Sequence, residues 1–355
     1  MNSKLNRIRS KWSYKRNRLW QEIGNIVGRP LGKPREVWLK VTHRCKTQCV
    51  MCDIWKSPSR ISEELSIEQW KTVLDDLRAW LGPYNVWFTG GEAFAKKDLV
   101  QLFSHCARIG LSSRVITRGV GVYDEPTARE IIDSGLDEYH VSIEALNPEM
   151  HDAVSPPQGT YANAVEGLKW LNALRRSEGS PLRIVIKTII MGYNREEILR
   201  IVDWAFTNKF DEIKFQPLEQ TIEQPEADPR WFERSEFWPR DEGALKKVIQ
   251  VIDELIRLKT SGAPIHNSVR ELGMMRRYFL SPIQMYEPVK SHMLKTAGTI
   301  REPNDGWMEI WHNGDVKTFW KNPPIGNARD KPIWKIWNAR PTPPPKSVRV
   351  FGLLK

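Results

Sequence analysis

Cysteine is scarce in this chain: there are four in 355 residues, and none follows Cys106. That is too few for a disulfide framework in a chain of this size, so the cysteines point to metal or redox chemistry in a reducing compartment. Long apolar runs are also missing. No stretch approaches the roughly 18 residues of a membrane span, and the N-terminus has no signal-like apolar segment. The expectation is a soluble protein of the cytoplasm. Acidic residues are fewer than basic ones, 43 against 54, for a net charge of +11. Residues 1–36 hold ten Lys/Arg and two Glu, +8 of the +11, leaving +3 for the other 319 residues. The body is therefore close to neutral, and nucleic acid is not the expected partner.

Three of the four cysteines, Cys45, Cys49 and Cys52, fall within eight residues, directly after the apolar run Val37, Trp38, Leu39 and Val41. Three thiolates on one loop can grip one metal centre. A structural zinc site wants four protein ligands, whereas an iron–sulfur cubane can be held by three thiolates with one iron left open. The ligand count favours a cluster. A zinc knuckle completed by His43, and a metal-free group of thiols, remain the alternatives.

Strand and helix patterns alternate from there on. Strands are expected at 37–41, 85–89, 113–117, 138–143, 182–190 and around 214–216, with helices at 66–80, 97–109, 125–134, 161–176 and 195–208. Six such units imply an α/β fold, a partial (β/α)6 barrel of parallel strands whose active residues gather at the C-terminal strand ends. The expected division is an N-terminal basic amphipathic helix and linker at 1–36, the barrel at 37–218, an acidic aromatic loop with helices at 219–302, and a small C-terminal α+β cap at 303–355. On the N-terminal helix, Leu5, Ile8, Trp12, Leu19, Trp20, Ile23, Ile26 and Val27 share one side, interrupted by Arg9 and Arg16. It reads first as a helix packed outside the main domain; contact of residues 5–27 with a membrane surface or a partner is the second reading.

The spacing of Cys45, Cys49 and Cys52 at the end of a first strand resembles the signature of the radical S-adenosylmethionine (SAM) superfamily. Thr89-Gly90-Gly91-Glu92 after the second strand resembles the motif that receives the methionyl ammonium group of SAM, with Ala93 in place of the usual proline. Its glycines would let a ligand approach the backbone. Ser142 and Glu144 at the fourth strand end resemble the family's contacts to the SAM ribose or carboxylate. Lys187, Asn194 and Gln216 are weaker parallels, and Thr117-Arg118-Gly119 departs from the Thr-Asn-Gly of many relatives. The resemblance implies one [4Fe–4S] cluster on the three cysteines, SAM as co-substrate, and an electron donor such as flavodoxin or ferredoxin. Gly90, Gly91, Glu92, Ser142, Glu144 and Gln216 are the expected cofactor contacts, and no catalytic side chain is assigned. With only 36 residues ahead of the first strand, the expected substrate is a sugar, lipid or other small metabolite, with a peptide close behind.

Three further features remain. Cys106 lies at helical spacing from Leu102, Phe103 and Ile109 and reads as a small core residue. Residues 219–242 carry eight acidic and three basic residues around Trp231, Phe232, Phe237 and Trp238, in a stretch that reads equally as a lid over the site or as surface decoration. The region from Pro303 resembles the SPASM or twitch module of many radical SAM enzymes, but without cysteines it holds no auxiliary cluster. Its Trp307, Trp311, Trp320, Trp334 and Trp337 are expected to form a small core or a wall of the substrate pocket.

Overall fold

The computed structural model describes residues 20, 23, 31–122, 124–220, 228, 230–283, 306–318 and 322–341. The basic N-terminal helix, apart from Trp20 and Ile23, lies outside these residues, as do Trp320 and much of the acidic loop.

Six parallel strands follow one another in sequence and in space: β1 (Glu36–Thr42), β2 (Asn85–Gly90), β3 (Ser112–Thr117), β4 (Glu138–Ser142), β5 (Arg183–Ile190) and β6 (Glu212–Pro217). The helices between them are α1 (Ile67–Leu81), α2 (Val100–Ile109), α3 (Glu125–Asp133), α4 (Pro148–Val154), α5 (Thr160–Ser177) and α6 (Ile198–Thr207). Their boundaries follow local chemistry. Ser66 caps α1 reciprocally with Gln69, and Asp124 caps α3 through the Thr127 amide. The helices α7 (Glu242–Thr260) and α8 (Val269–Leu280) pack together beyond β6.

Alternation along each strand separates two faces. One carries Val37, Leu39, Val86, Phe88, Val115, Ile184 and Phe215, all fully buried in the core. The other carries polar and aromatic side chains that register fixes in rows, such as Trp38, Trp87, Arg114, Glu138 and Arg183. In a flat sheet β1 and β6 would stand five spacings, roughly 24 Å, apart. Lys214 on β6 nevertheless feels the charge of Glu36 on β1. The sheet therefore curls, with the polar face inside the curve. This is the expected partial barrel, and it stays open, because β1 and β6 are not paired with each other.

The C-terminal region joins this sheet. The strand β7 (Trp307–Trp311) pairs parallel to β1, and β8 (Asp315–Lys317) and β9 (Gly326–Asn327) extend it antiparallel to a total of nine strands. A helix, α9 (Ile333–Asn338), then returns to the outer face near α1. The segment expected to be a small cap thus continues the barrel wall at its open edge. Its tryptophans part ways. Trp337 is fully buried, with Nε1 donating to Gly32 O at 2.9 Å, whereas Trp334 is 41% exposed. Trp307 stacks on Trp38, which stacks on Trp87, with centroids 4.8 and 5.0 Å apart on the inner face.

Candidate functional site

The cysteine loop leaves the C-terminal end of β1 and is sewn to its surroundings mainly by backbone. Gly91 N donates to Thr42 O at 2.8 Å and Glu92 N to Arg44 O at 3.0 Å, joining the start of the loop to the glycine motif. Gln48 N and Val50 N donate to Pro156 O and Val154 O at 2.7 and 3.0 Å, fixing its middle to the end of α4. A Cβ on Gly90 would stand 2.1 Å from Thr42 O, and one on Gly91 2.5 Å from Arg44 O. The absence of a side chain at Gly90 and Gly91 thus lets the cysteine loop approach their backbone.

Cys45 Sγ lies 3.0 Å from Thr47 Oγ1, and Cys49 Sγ donates to Ser155 Oγ at 3.6 Å. All three thiols are free of disulfides. Burial raises the pKa of Cys45 and pushes that of Cys52 up to about 12, and each is raised further by its neighbouring cysteines. Without a cation these groups stay protonated. A metal at the loop reverses that, since thiolate binding releases the protons. Three soft donors that feel one another's charge suit an iron–sulfur cluster. A structural zinc ion would want a fourth protein ligand beside them. His43, the fourth ligand in the zinc-knuckle alternative, packs on Trp311 and His312, at 4.8 and 4.4 Å between centroids. Burial, with His312 and two lysines nearby, takes its pKa down to about 3.

The residue that sequence comparison left in doubt, Arg118, lies at the centre of this mouth. Its Nη1 donates to Glu144 Oε1 at 2.7 Å, its Nη2 to Met51 Sδ at 3.4 Å, and its backbone N to Glu92 Oε2 at 2.8 Å. Burial disfavours the charge, but Cys49, Glu144 and Cys52 hold the guanidinium protonated. A basic residue at a strand end facing a cysteine loop is the signal that could have marked it in the sequence.

Glu92 and Glu144 are occupied internally. Glu92 is 3% exposed and accepts from Thr117 Oγ1 at 2.7 Å, Phe94 N at 3.0 Å and Arg118 N at 2.8 Å. Burial raises its pKa against these bonds. Glu144, 1% exposed, accepts from Arg118 and, at 2.8 Å, from Ile189 N. Both carboxylates, expected as cofactor contacts, tie the ends of β2, β3, β4 and β5 together. Asn194 is likewise internal, bonded to Glu144 O and Ile189 O. Ser142 and Gln216 are half-buried on the inner face.

Elsewhere, Cys106 is fully buried in the core under α2, as expected. The described part of the aromatic loop forms a packed cluster: Trp238 lies 4.9 Å from Phe279 and 5.5 Å from Tyr278 of α8, and Gly192 N donates to Phe237 O at 2.8 Å. Among the described residues no helix is long and apolar enough to cross a membrane.

Residues 39–205 match the radical SAM superfamily. The chain is 35% identical over 183 residues to a PqqA peptide cyclase of Bradyrhizobium diazoefficiens, covering 52% of this chain and 46% of that protein. It is 35% identical over 193 residues to one of Rhodopseudomonas palustris, covering 54% and 49%. The match spans about half the length of these relatives. Among solved structures, Streptococcus suis SuiB bound to S-adenosylmethionine superposes with a TM-score of 0.61 at 15% identity, over 91% of this chain and 69% of that one. The enzyme anSMEcpe with bound AdoMet and Cp18Cys peptide gives 0.56 at 11% identity, over 85% and 79%. These likenesses show the fold. With three cysteines at the mouth of a curled parallel sheet and the matching segment spanning that sheet, residues 39–205 form a radical SAM domain, of the superfamily whose cofactors are a [4Fe–4S] cluster and SAM.

Proposed function

We propose that this chain is a radical SAM enzyme that modifies a peptide. The observation that carries the enzymatic reading is the group of three free, mutually sensed thiols beside Arg118 at the C-terminal mouth of the barrel. Cys45, Cys49 and Cys52 would hold the cluster, and when bound the cluster supplies the electron that cleaves SAM to a radical able to take hydrogen from a substrate. The protein's own contribution is to hold that loop rigid, place positive charge beside the thiolates, and present Ser142, Gln216 and the backbone of Gly90 to Glu92 toward SAM. The wall added by β7 narrows the open side, which helps to keep water from the reacting groups.

The sequence analysis expected a small-metabolite substrate, with a peptide close behind. The peptide reading is favoured instead by the relatives, which are named as PqqA peptide cyclases, and by a barrel open along one side, where an extended chain can enter. The test has two stages. Anaerobic reconstitution should load iron and sulfide and, with reductant and SAM, release 5′-deoxyadenosine; absence of both would end the enzymatic reading. Deuterated candidate peptides should then pass label into 5′-deoxyadenosine. Label passing only from small metabolites would reject the peptide substrate. Flavodoxin or ferredoxin is the proposed electron donor, tested by substituting each for the chemical reductant.

A further inference from the structure

The inner face of the barrel holds two lysines that make no direct ion pair or hydrogen bond among the described residues, although carboxylates act on both from farther off. Ser142, Lys187 and Lys214 are register partners across β4, β5 and β6, so both lysine side chains project from the same face, one strand apart. Each is half-buried, and neither has an ion pair or hydrogen bond among the described residues.

The acidic groups that favour these charges, Glu36, Glu271 and Glu138 for Lys214 and Glu144 for Lys187, each hold another donor, Ser268 in the case of Glu271. Glu138 holds Arg183 at 3.1 Å, Arg114 at 3.4 Å and His140 at 2.8 Å. Glu212 holds Arg183 at 3.1 Å and His266 at 2.7 Å. Glu309 holds Lys40 at 3.3 Å, Glu144 holds Arg118 at 2.7 Å, and Glu36 accepts from Trp38 Nε1 at 3.1 Å. Adjacent ammonium groups in a part-desolvated cleft raise each other's energy. Burial, then Lys214 and Arg118, take Lys187 down to about 7, with Glu144 opposing; burial, with Arg114, also lowers Lys214 against the pull of Glu36, Glu271 and Glu138. An anion between the two would relieve both.

We propose that Lys187 and Lys214 form a carboxylate-binding site inside the barrel. Two carboxylates fit this chemistry: an acidic side chain of a peptide substrate, or the methionyl carboxylate of SAM. The site deepens the proposed function, and only the assignment between these two sources rests on that reading. The floor of the cleft favours a substrate group, since His140 stands edge-on to Trp87 at 4.9 Å and the Trp87, Trp38 and Trp307 stack offers an apolar wall for the rest of a side chain.

The test uses the full reconstituted chain, with N-acetylglutamate methylamide as the acidic probe, its glutamine counterpart as the neutral control, and SAM. Wild type should prefer the acidic over the neutral probe. In Lys187→Met and Lys214→Met that preference should fall by roughly tenfold or more, as for loss of a charged hydrogen bond, with SAM affinity unchanged. Lys187→Arg should restore it. Weakened SAM affinity in both variants, with the probes unaffected, would assign the site to SAM. If both variants fold and neither SAM nor probe binding changes, the proposal is overturned. Should either variant fail to fold, the Lys187 titration in wild type decides: saturating acidic probe or SAM raises its pKa if the site is real and leaves it unmoved if not. Iron content is measured throughout, so that failure of cluster binding is seen separately from failure of this site.

Discussion

Four donors converge on Glu64, a residue outside every motif. Thr42 Oγ1 donates at 2.5 Å, Ser59 Oγ at 2.8 Å, Arg44 Nε at 3.0 Å and Lys96 Nζ at 3.0 Å. Thr42 and Arg44 precede Cys45, Ser59 follows Cys52, and Lys96 follows the glycine motif, so one buried carboxylate pins the frame of the cysteine loop. Burial alone would raise its pKa, but the bonds from Arg44, Thr42, Ser59 and Lys96 outweigh that and take it to about 2, below the ordinary 4.5. A depressed carboxylate pKa stabilises the fold above the unfolded value, and that stability is lost as pH falls through the folded one. Glu64→Gln should therefore cost about 3 kcal/mol at neutral pH, with the deficit to wild type shrinking between about pH 4.5 and pH 2; urea melts across pH measure it. The same variant should hold its cluster less well, read as faster iron loss to a chelator. Of the cysteines, alanine at 45, 49 or 52 should abolish iron loading. Cys106→Ala, deep in the core, should leave loading intact and cost about 1 kcal/mol through the small cavity it leaves. The three proposed ligands were legible in the sequence because their spacing is local. Glu64 was not, since its partners span residues 42 to 96 and no periodicity marks a buried carboxylate.

At the scale of elements, six strands and the helices between them could be read from hydrophobic alternation and caps, because those signals lie within each segment. The pairing of β7 with β1 could not, since Glu36 and Trp307 are register partners despite their separation in the chain. The tryptophans suggested a small separate core, and in the structure they serve different layers. Trp337 locks α9 against the outer face, with Nε1 on Gly32 O and the Arg340 guanidinium 4.1 Å from its ring centroid. Trp337→Ala should cost about 3–5 kcal/mol, as expected for a large buried ring, and a thermal melt should show it. Trp334→Ala, on the exposed side of the same helix, should change stability by about 0.5 kcal/mol or less.

For the whole molecule, a nine-stranded sheet that includes the C-terminal hairpin makes the barrel and its supposed cap one cooperative unit. A chain ended after residue 302 would strip β7 from β1, exposing that strand's edge and the face of Trp38. It should aggregate or melt far below the full chain; a truncation that melts like wild type would show the hairpin to be dispensable. The sequence by itself determined the parallel α/β class, the cysteine motif and the superfamily it resembles, because strand period, cysteine spacing and strand-end motifs are encoded over a few consecutive residues. Only the tertiary structure decided that Glu92 and Glu144 face inward as ties, that Arg118 stands against the cysteines, and that Lys187 and Lys214 share one cleft. Each of those depends on which strands become neighbours and how far the sheet curls, and both are set by packing between segments that are distant in the chain.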